Sequence, residues 1–237
     1  MSPRIEVLVS PGCPHAAPAI KLAREVCATL TPDSRVEVVQ VTTQQQAQAQ
    51  GFPGSPTLRV NGVDVEPGGG MQGVLACRVY AGGTGVPPRW KLDAAVLRAL
   101  EPKHLLFLCV ANSARSQMAE GIARALAPKG VVVSSAGSFP MQVHPQAVDA
   151  LRGIGIDISS HRSKSVQDVD ASCVQAVITL CGEEGCPVFL GRAWRLHWGL
   201  TDPASAPGGP ADVQQAFRLV RDQLRERLTY LFEGWPA

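Results

Sequence analysis

At 237 residues, 45% of them apolar, the chain can bury one large core or two small ones. Twenty-two lysines and arginines against twenty acidic residues leave a net charge of +2, and the seven cysteines are an odd number in a chain large enough to need no disulfide staples. The charge balance argues against nucleic acid or a membrane as partner. The cysteines read as catalytic or core thiols in a reducing compartment, and the opening MSPRIEVLVS lacks a leader's basic flank and apolar length, so a cytoplasmic location is expected.

An apolar strand is expected over residues 5–9, followed by the turn Ser10-Pro11-Gly12-Cys13-Pro14-His15 and an amphipathic helix over 16–30. A second strand covers 36–41. The Gln-rich stretch 44–50 reads as a short helix or as a solvated connector. Gly54-Ser55-Pro56 introduces a strand pair, 57–60 and 63–65, turning at Asn61-Gly62, a dipeptide that favours a two-residue hairpin. Residues 68–73 form a glycine-rich loop, and 87–90 lead into a helix over 92–100. This β-α-β-(α)-β-β-α order resembles a thioredoxin-like domain over 1–101, ending at Glu101-Pro102-Lys103. The resemblance implies a reactive thiol at Cys13 and a cis proline at Pro56 facing it; the usual second cysteine is replaced by Ala16. Cys77 reads either as a distant resolving partner or as a core cysteine, and Cys27 and Cys173 as core residues.

From residue 102 to 237 strands and helices alternate: strands at 105–109, 131–134 and 174–180, helices at 116–127, 145–153 and 211–232, with 203–210 (PASAPGGP) as a loop. Such alternation implies an α/β fold with a parallel sheet flanked by helices and ligand loops at the strand C-terminal ends. Cys109 and Cys181 both fall at such ends.

The segment LLFLCVANSARSQMAEG, 105–121, carries the chemistry. A loop curling onto a helix N-terminus points backbone N–H groups inward, and the helix macrodipole adds partial positive charge that favours an anionic sulfur at Cys109. The nest comprises Val110, Ala111, Asn112, Ser113, Ala114, Arg115 and Ser116. Arg115 offers a planar fork for two oxygens of a tetrahedral anion, and Ser116 serves either as helix cap or as donor to the sulfur. Farther on, Cys181-Gly-Glu-Glu-Gly-Cys186 places two cysteines on one glycine-bearing loop, a poor metal pair and a better redox pair. Asp202, fixed by Pro203, is placed as a general acid or as a turn former.

These residues resemble the low-molecular-weight protein tyrosine phosphatase fold family, and within it the thioredoxin-coupled arsenate reductases, from about His104 to Ala237. The resemblance implies a four-stranded parallel sheet and a three-cysteine relay: Cys109 as nucleophile on arsenate, Cys181 attacking the adduct to release arsenite, and Cys186 closing a disulfide. Asp202 is the implied general acid. Cys181 and Cys186 lie closer in sequence than is usual there, and Ala114 replaces the last cysteine of the common loop. Ala204-Ser205 stands where the phosphatases place an aromatic residue. In some members a potassium ion sits near this loop, held by groups corresponding to Asn112, Glu120, Ser135 and an aspartate that is Lys164 here; an ammonium in that place predicts potassium-independent activity.

The implied substrate is arsenate, with phosphate or sulfate as competing anions. The implied electron donor is thioredoxin, a low-molecular-weight thiol, or the first domain acting in cis. No cofactor or metal is expected. A phosphatase would need only Cys109, Arg115 and Asp202, and a non-enzymatic oxyanion- or metalloid-binding redox sensor would need only the nest; both stay open on the sequence.

Overall fold

Five consecutive buried residues, Ile5–Val9 (β1), form the centre of a sheet because both of their faces are covered. The structure, a computed structural model, describes residues 2–68, 73–182, 185 and 187–236. It divides into two compact units, Met1–Leu100 and Glu101–Ala237.

In unit 1, β1 is followed by Ala16–Leu30 (α1), Val36–Gln40 (β2), Gln44–Ala49 (α2), Thr57–Val60 (β3), Val63–Asp64 (β4) and Arg89–Leu100 (α3). The sheet order is β2-β1-β3-β4, with β1 parallel to β2 and antiparallel to β3. Helix α1 buries Ala19, Ala23, Val26, Cys27 and Leu30, the spacing of one helical face, and packs on β1 and α3. On the other face Leu8, Val41, Ala47 and Phe52 form a second cluster. The Gln-rich stretch is helical because Thr43 and Gln46 close a capping box, each side chain bonding the other's backbone. Asn61 and Gly62 both take positive φ, 51° and 81°, as a two-residue hairpin turn between Val60 and Val63 demands. The peptide Ser55-Pro56 is cis. The last helix starts three residues before the expected 92, because Pro87 and Pro88 end the preceding chain directly at Arg89.

Unit 2 runs His104–Cys109 (β5), Arg115–Leu126 (α4), Val132–Gly137 (β6), Pro145–Arg152 (α5), Ala176–Thr179 (β7), Trp194–His197 (β8) and Pro210–Phe232 (α6). All pairings are parallel, in the order β6-β5-β7-β8. Strand β5 therefore has its successors on either side, and its C-terminal end is the point where strand order reverses, the usual ligand crevice of such sheets. Strand β6 extends past the expected 134 to Gly137: Ser134 and Ser135 are polar yet pair with Leu106 and Phe107. The fourth strand, β8, has a short polar sequence that no apolar run announces. The start of the expected loop 203–210 is a 3-10 turn, Pro203–Ser205. No helix among the described residues is long and apolar enough to cross a membrane.

Two cysteine readings change. Cys173 is exposed, not core: the turn Asp170–Cys173 precedes β7 and the thiol donates to Asp170 Oδ2 at 3.3 Å. Cys77 is exposed as well, which removes the core alternative, whereas Cys27 is buried and donates to the carbonyl of Ser34 at 3.3 Å.

Candidate active site

The loop between β5 and α4 is shaped by where its carbonyls go. Val110 O accepts from Phe139 N, Ala111 O from Met141 N, Ser113 O from His144 N, and Asn112 O from Ser163 Oγ at 2.6 Å and Gln117 Nε2. In a planar trans peptide the following N–H points opposite to the carbonyl, so the N–H groups of Ala111, Asn112, Ser113 and Ala114 turn into the loop, where an anion would sit. Asn112 takes φ 43°, the left-handed step of such a nest. Gly137 allows this curl: a Cβ there would stand 2.5 Å from Val110 O, 2.7 Å from Asn112 N and 2.9 Å from Cys109 O.

Cys109 is 2% exposed, and its Sγ lies 3.0 Å from Ser116 Oγ. Asn112 Nδ2 donates to that same oxygen at 2.7 Å, which leaves the serine proton to the sulfur. Ser116 Oγ thus sits within hydrogen-bond reach of the sulfur, and the helix is entered through Ala114 with no side-chain cap. The other Asn112 Nδ2 proton goes to Ser135 Oγ at 2.8 Å, and Ser135 donates to Glu120 Oε2 at 2.5 Å. Asn112 Oδ1 accepts from Gln117 Nε2 at 3.1 Å and from the Lys164 backbone N at 2.8 Å. Every hydrogen-bonding site of this fully buried amide is filled, which fixes its orientation and, through Ser116, that of the donor facing the sulfur.

Glu120, 1% exposed, is the charge under this network. It meets Arg124 Nη2 at 2.5 Å and Lys164 Nζ at 3.3 Å, so Asn112, Glu120, Ser135 and Lys164 form one connected cluster. Gln117 Oε1 accepts from His161 Nδ1 at 3.0 Å, and burial lowers the His161 pKa, in keeping with a neutral ring. Sequence reading overlooked Gln117 and Ser163 and assigned Gly137 no role; only the glycine, placed at a strand end beside the loop, carried a signal.

Arg115, 4% exposed, is directed across the loop mouth. Its Nη1 donates to Leu200 O at 3.0 Å and its Nη2 lies 3.3 Å from Asp202 Oδ2. Asp202 accepts from Ala204 N at 3.2 Å through its other oxygen, so it caps the 3-10 turn while facing the arginine. The segment carrying it hangs from β7 and α6: Trp198 N donates to Thr179 O, Leu200 N to Leu180 O, and Arg227 Nη1 to Trp198 O at 3.1 Å.

Cys181, fully buried, follows β7 by two residues. Leu180, just past β7, donates through its N to Leu108 O of β5 at 2.8 Å, so Cys181 and Cys109 each come next in chain after hydrogen-bonded residues. Cys186 lies outside the described residues. Among the described residues no group of three or more His, Cys, Asp and Glu is placed to hold a metal. Cys13, Pro56 and Cys77 lie in unit 1.

Unit 2 is thus a parallel α/β sheet whose switch-point loop wraps a cysteine, with an arginine and an acid opposite. Residues 104–234 match the family of low molecular weight phosphotyrosine protein phosphatases, and the chain belongs to that family. An arsenate reductase of Halalkalibacterium halodurans is 39% identical over 131 residues, 54% of this chain and 94% of that protein. A glutaredoxin arsenate reductase of Synechocystis is 37% identical over 134 residues, 54% of this chain and 95% of its own length. A solved arsenate reductase from Archaeoglobus fulgidus, 26% identical, covers 55% of this chain and 99% of its own, with a TM-score of 0.48.

Proposed function

We propose that unit 2 reduces arsenate to arsenite through Cys109, Cys181 and Cys186. The observation that carries this is the second buried thiol: Cys181 follows β7, the strand paired with the one that ends at Cys109, and a phosphatase, which needs only Cys109, Arg115 and Asp202, has no use for it. The Cys109 thiolate attacks arsenic, and an arsenic–oxygen bond breaks. The departing oxygen takes a proton from Asp202. Cys181 then attacks the sulfur of the adduct; the S–As bond electrons leave with arsenic, which becomes arsenite, and a Cys109–Cys181 disulfide remains. Cys186 attacks Cys181, freeing Cys109 and leaving the oxidised pair Cys181–Cys186. The curated arsenate reductases among the relatives support the substrate.

Unit 1 is read as a thioredoxin-like domain that returns two electrons to Cys181–Cys186 in cis. Its strand order, the cis Ser55-Pro56 peptide and Cys13 ahead of α1 support that reading. Tethering gives an effective concentration of roughly millimolar, which favours it over free thioredoxin. The test measures arsenite release with a small-thiol reductant beside p-nitrophenyl phosphate hydrolysis. Cys181→Ser is expected to abolish the first and keep the second; retained arsenite release overturns the relay. Cys13→Ser is expected to slow turnover, and unchanged turnover overturns the in-cis route.

A further inference from the structure

We propose that unit 1 holds a second arsenic site, in which the thiols of Cys13 and Cys77 together bind trivalent arsenic. The proposal rests on the reductase reading only for the source of its ligand. Cys77 sits on a strap that is fastened on both sides. Ser55 N donates to Ala76 O at 2.8 Å and Arg78 N to Ser55 O at 2.9 Å, which sets Cys77 in parallel register with Ser55. Arg78, 2% exposed, reaches Asp64 Oδ2 at 2.6 Å and Thr57 Oγ1 at 3.3 Å and lies 4.4 Å from the Tyr80 ring centre. The Tyr80 hydroxyl donates to Pro56 O at 2.9 Å. The strap presses so closely that a Cβ on Gly54 would stand 3.1 Å from Ala76 O. With Arg78 and Tyr80 turned inward, Cys77 is left exposed.

Ser55 is also the link to Cys13. Its Oγ accepts from Ser10 N at 2.9 Å, and Cys13 N donates to Ser10 O at 3.3 Å. Residues paired across a strand bridge project to the same face, so Cys77 shares the face of Ser55, whose hydroxyl is bonded to the start of the turn bearing Cys13. Farther along, the strap covers the start of α1: a Cβ on Gly85 would stand 2.2 Å from the His15 ring.

The donor set selects the ligand. Two thiols with no third metal-binding side chain among the described residues do not make the four-ligand site that zinc takes. Trivalent arsenic accepts two sulfurs and keeps one oxygen. With arsenous acid, two As–S bonds form, two As–O bonds break, and the two thiol protons leave in two waters. No electrons change hands and no co-reactant is needed.

The test uses the full chain with Cys109, Cys181 and Cys186 replaced by serine, reduced, desalted and dialysed against sodium arsenite. One arsenic per chain is expected, with two sulfur neighbours by X-ray absorption. Cys13→Ser and Cys77→Ala should each weaken binding by about a hundredfold, the loss of a chelate, and leave one sulfur, while Cys27→Ser and Cys173→Ser bind as the parent does. Cys77→Ala spares every anchor of the strap, and an unchanged melting temperature will show it. Parent-like binding by either the Cys13 or the Cys77 variant, or a single sulfur neighbour in the parent, overturns the proposal. Two-sulfur binding in a protein whose unsubstituted form makes no arsenite from arsenate leaves this site standing and overturns the reductase reading.

Discussion

Replacing Lys164 by alanine tests how the buried carboxylate beneath the oxyanion loop is neutralised. Glu120 is held by Ser135 and Arg124, each at 2.5 Å, and by the Lys164 ammonium at 3.3 Å. At that distance and an effective dielectric of about 20, the Lys164–Glu120 attraction is roughly 5 kcal/mol. The lysine side chain is 39% exposed, so hydration offsets most of it, and about 1–2 kcal/mol remains, between an exposed pair and a buried one. The backbone bond from Lys164 N to Asn112 survives the substitution, so the loop keeps its shape and loses only the charge. In sodium buffer Lys164→Ala should lose about 1–2 kcal/mol of stability and roughly three- to tenfold in arsenate turnover. A potassium ion in the vacated place, bound at about 10–20 mM, would return about 1 kcal/mol at 100 mM. Melting and arsenite release are compared in sodium and potassium chloride at equal ionic strength. The unsubstituted protein should not distinguish the two salts. Potassium stimulation of that protein, or a variant equally active in both salts, would refute the reasoning.

Asn112→Ala removes four hydrogen bonds, three of them buried, and puts a Cβ-bearing residue without a local polar partner at φ 43°; urea denaturation should show roughly 3–5 kcal/mol lost, and a loss under about 1 kcal/mol counts against the network. Gly137→Ala forces a methyl against three backbone atoms of the oxyanion loop, so kcat/KM for p-nitrophenyl phosphate should fall about a hundredfold or more while far-UV circular dichroism stays native; near-normal turnover would show that the loop has room. In unit 1, burial pushes the Asp93 carboxyl up to about 6 although Arg89 Nε, 3.5 Å away, pulls it down. The folded chain then holds that proton more tightly than the unfolded chain, so stability drops as pH rises from about 4 to 6. Asp93→Asn should match the parent near pH 4 and exceed it by on the order of 2–3 kcal/mol above pH 7, measured by denaturant unfolding; a gain that does not change with pH excludes the titration as its cause.

The elements that sequence reading located best are those whose signal is local. Residues 16–30 carry one apolar helical face, Asn61-Gly62 carries the turn geometry in its two residue types, and 105–109 is an apolar run ending at a cysteine. What was missed depends on partners distant in sequence. Strand β8 exists because Trp194–His197 meets Ala176–Thr179 at the sheet edge, and four residues of alternating polarity, of which only Leu196 is buried, give little warning of that. Cys173 reads as core beside buried Val174, yet the Asp170 turn leaves it in solvent. Of the site, Cys109, Arg115 and Ser116 were read from chemistry at a strand end, and Asp202 from the resemblance to a family that carries an Asp-Pro pair. Gln117 and Ser163 were not, because their task is to take up the loop's Asn112 carbonyl, and only the folded loop shows which carbonyls need donors.

Arsenate and phosphate have nearly the same shape and charge, so inward N–H groups and one guanidinium have no strong means of telling them apart. Selection on the proposed mechanism therefore falls after the first attack. A thiol–phosphorus adduct has no route by which a second thiolate can take sulfur and send two electrons to phosphorus, and it waits for water. A thiol–arsenic adduct does, because arsenic in the pentavalent state is readily reduced. The anion site is accordingly free to stay general, and the step that distinguishes the substrates is the arrival of Cys181. The nest has no such task to perform, and it is where the structure puts its fully satisfied asparagine. Loosening the nest through Asn112 should therefore slow arsenate and phosphate chemistry alike, whereas a change at Cys181 should separate them.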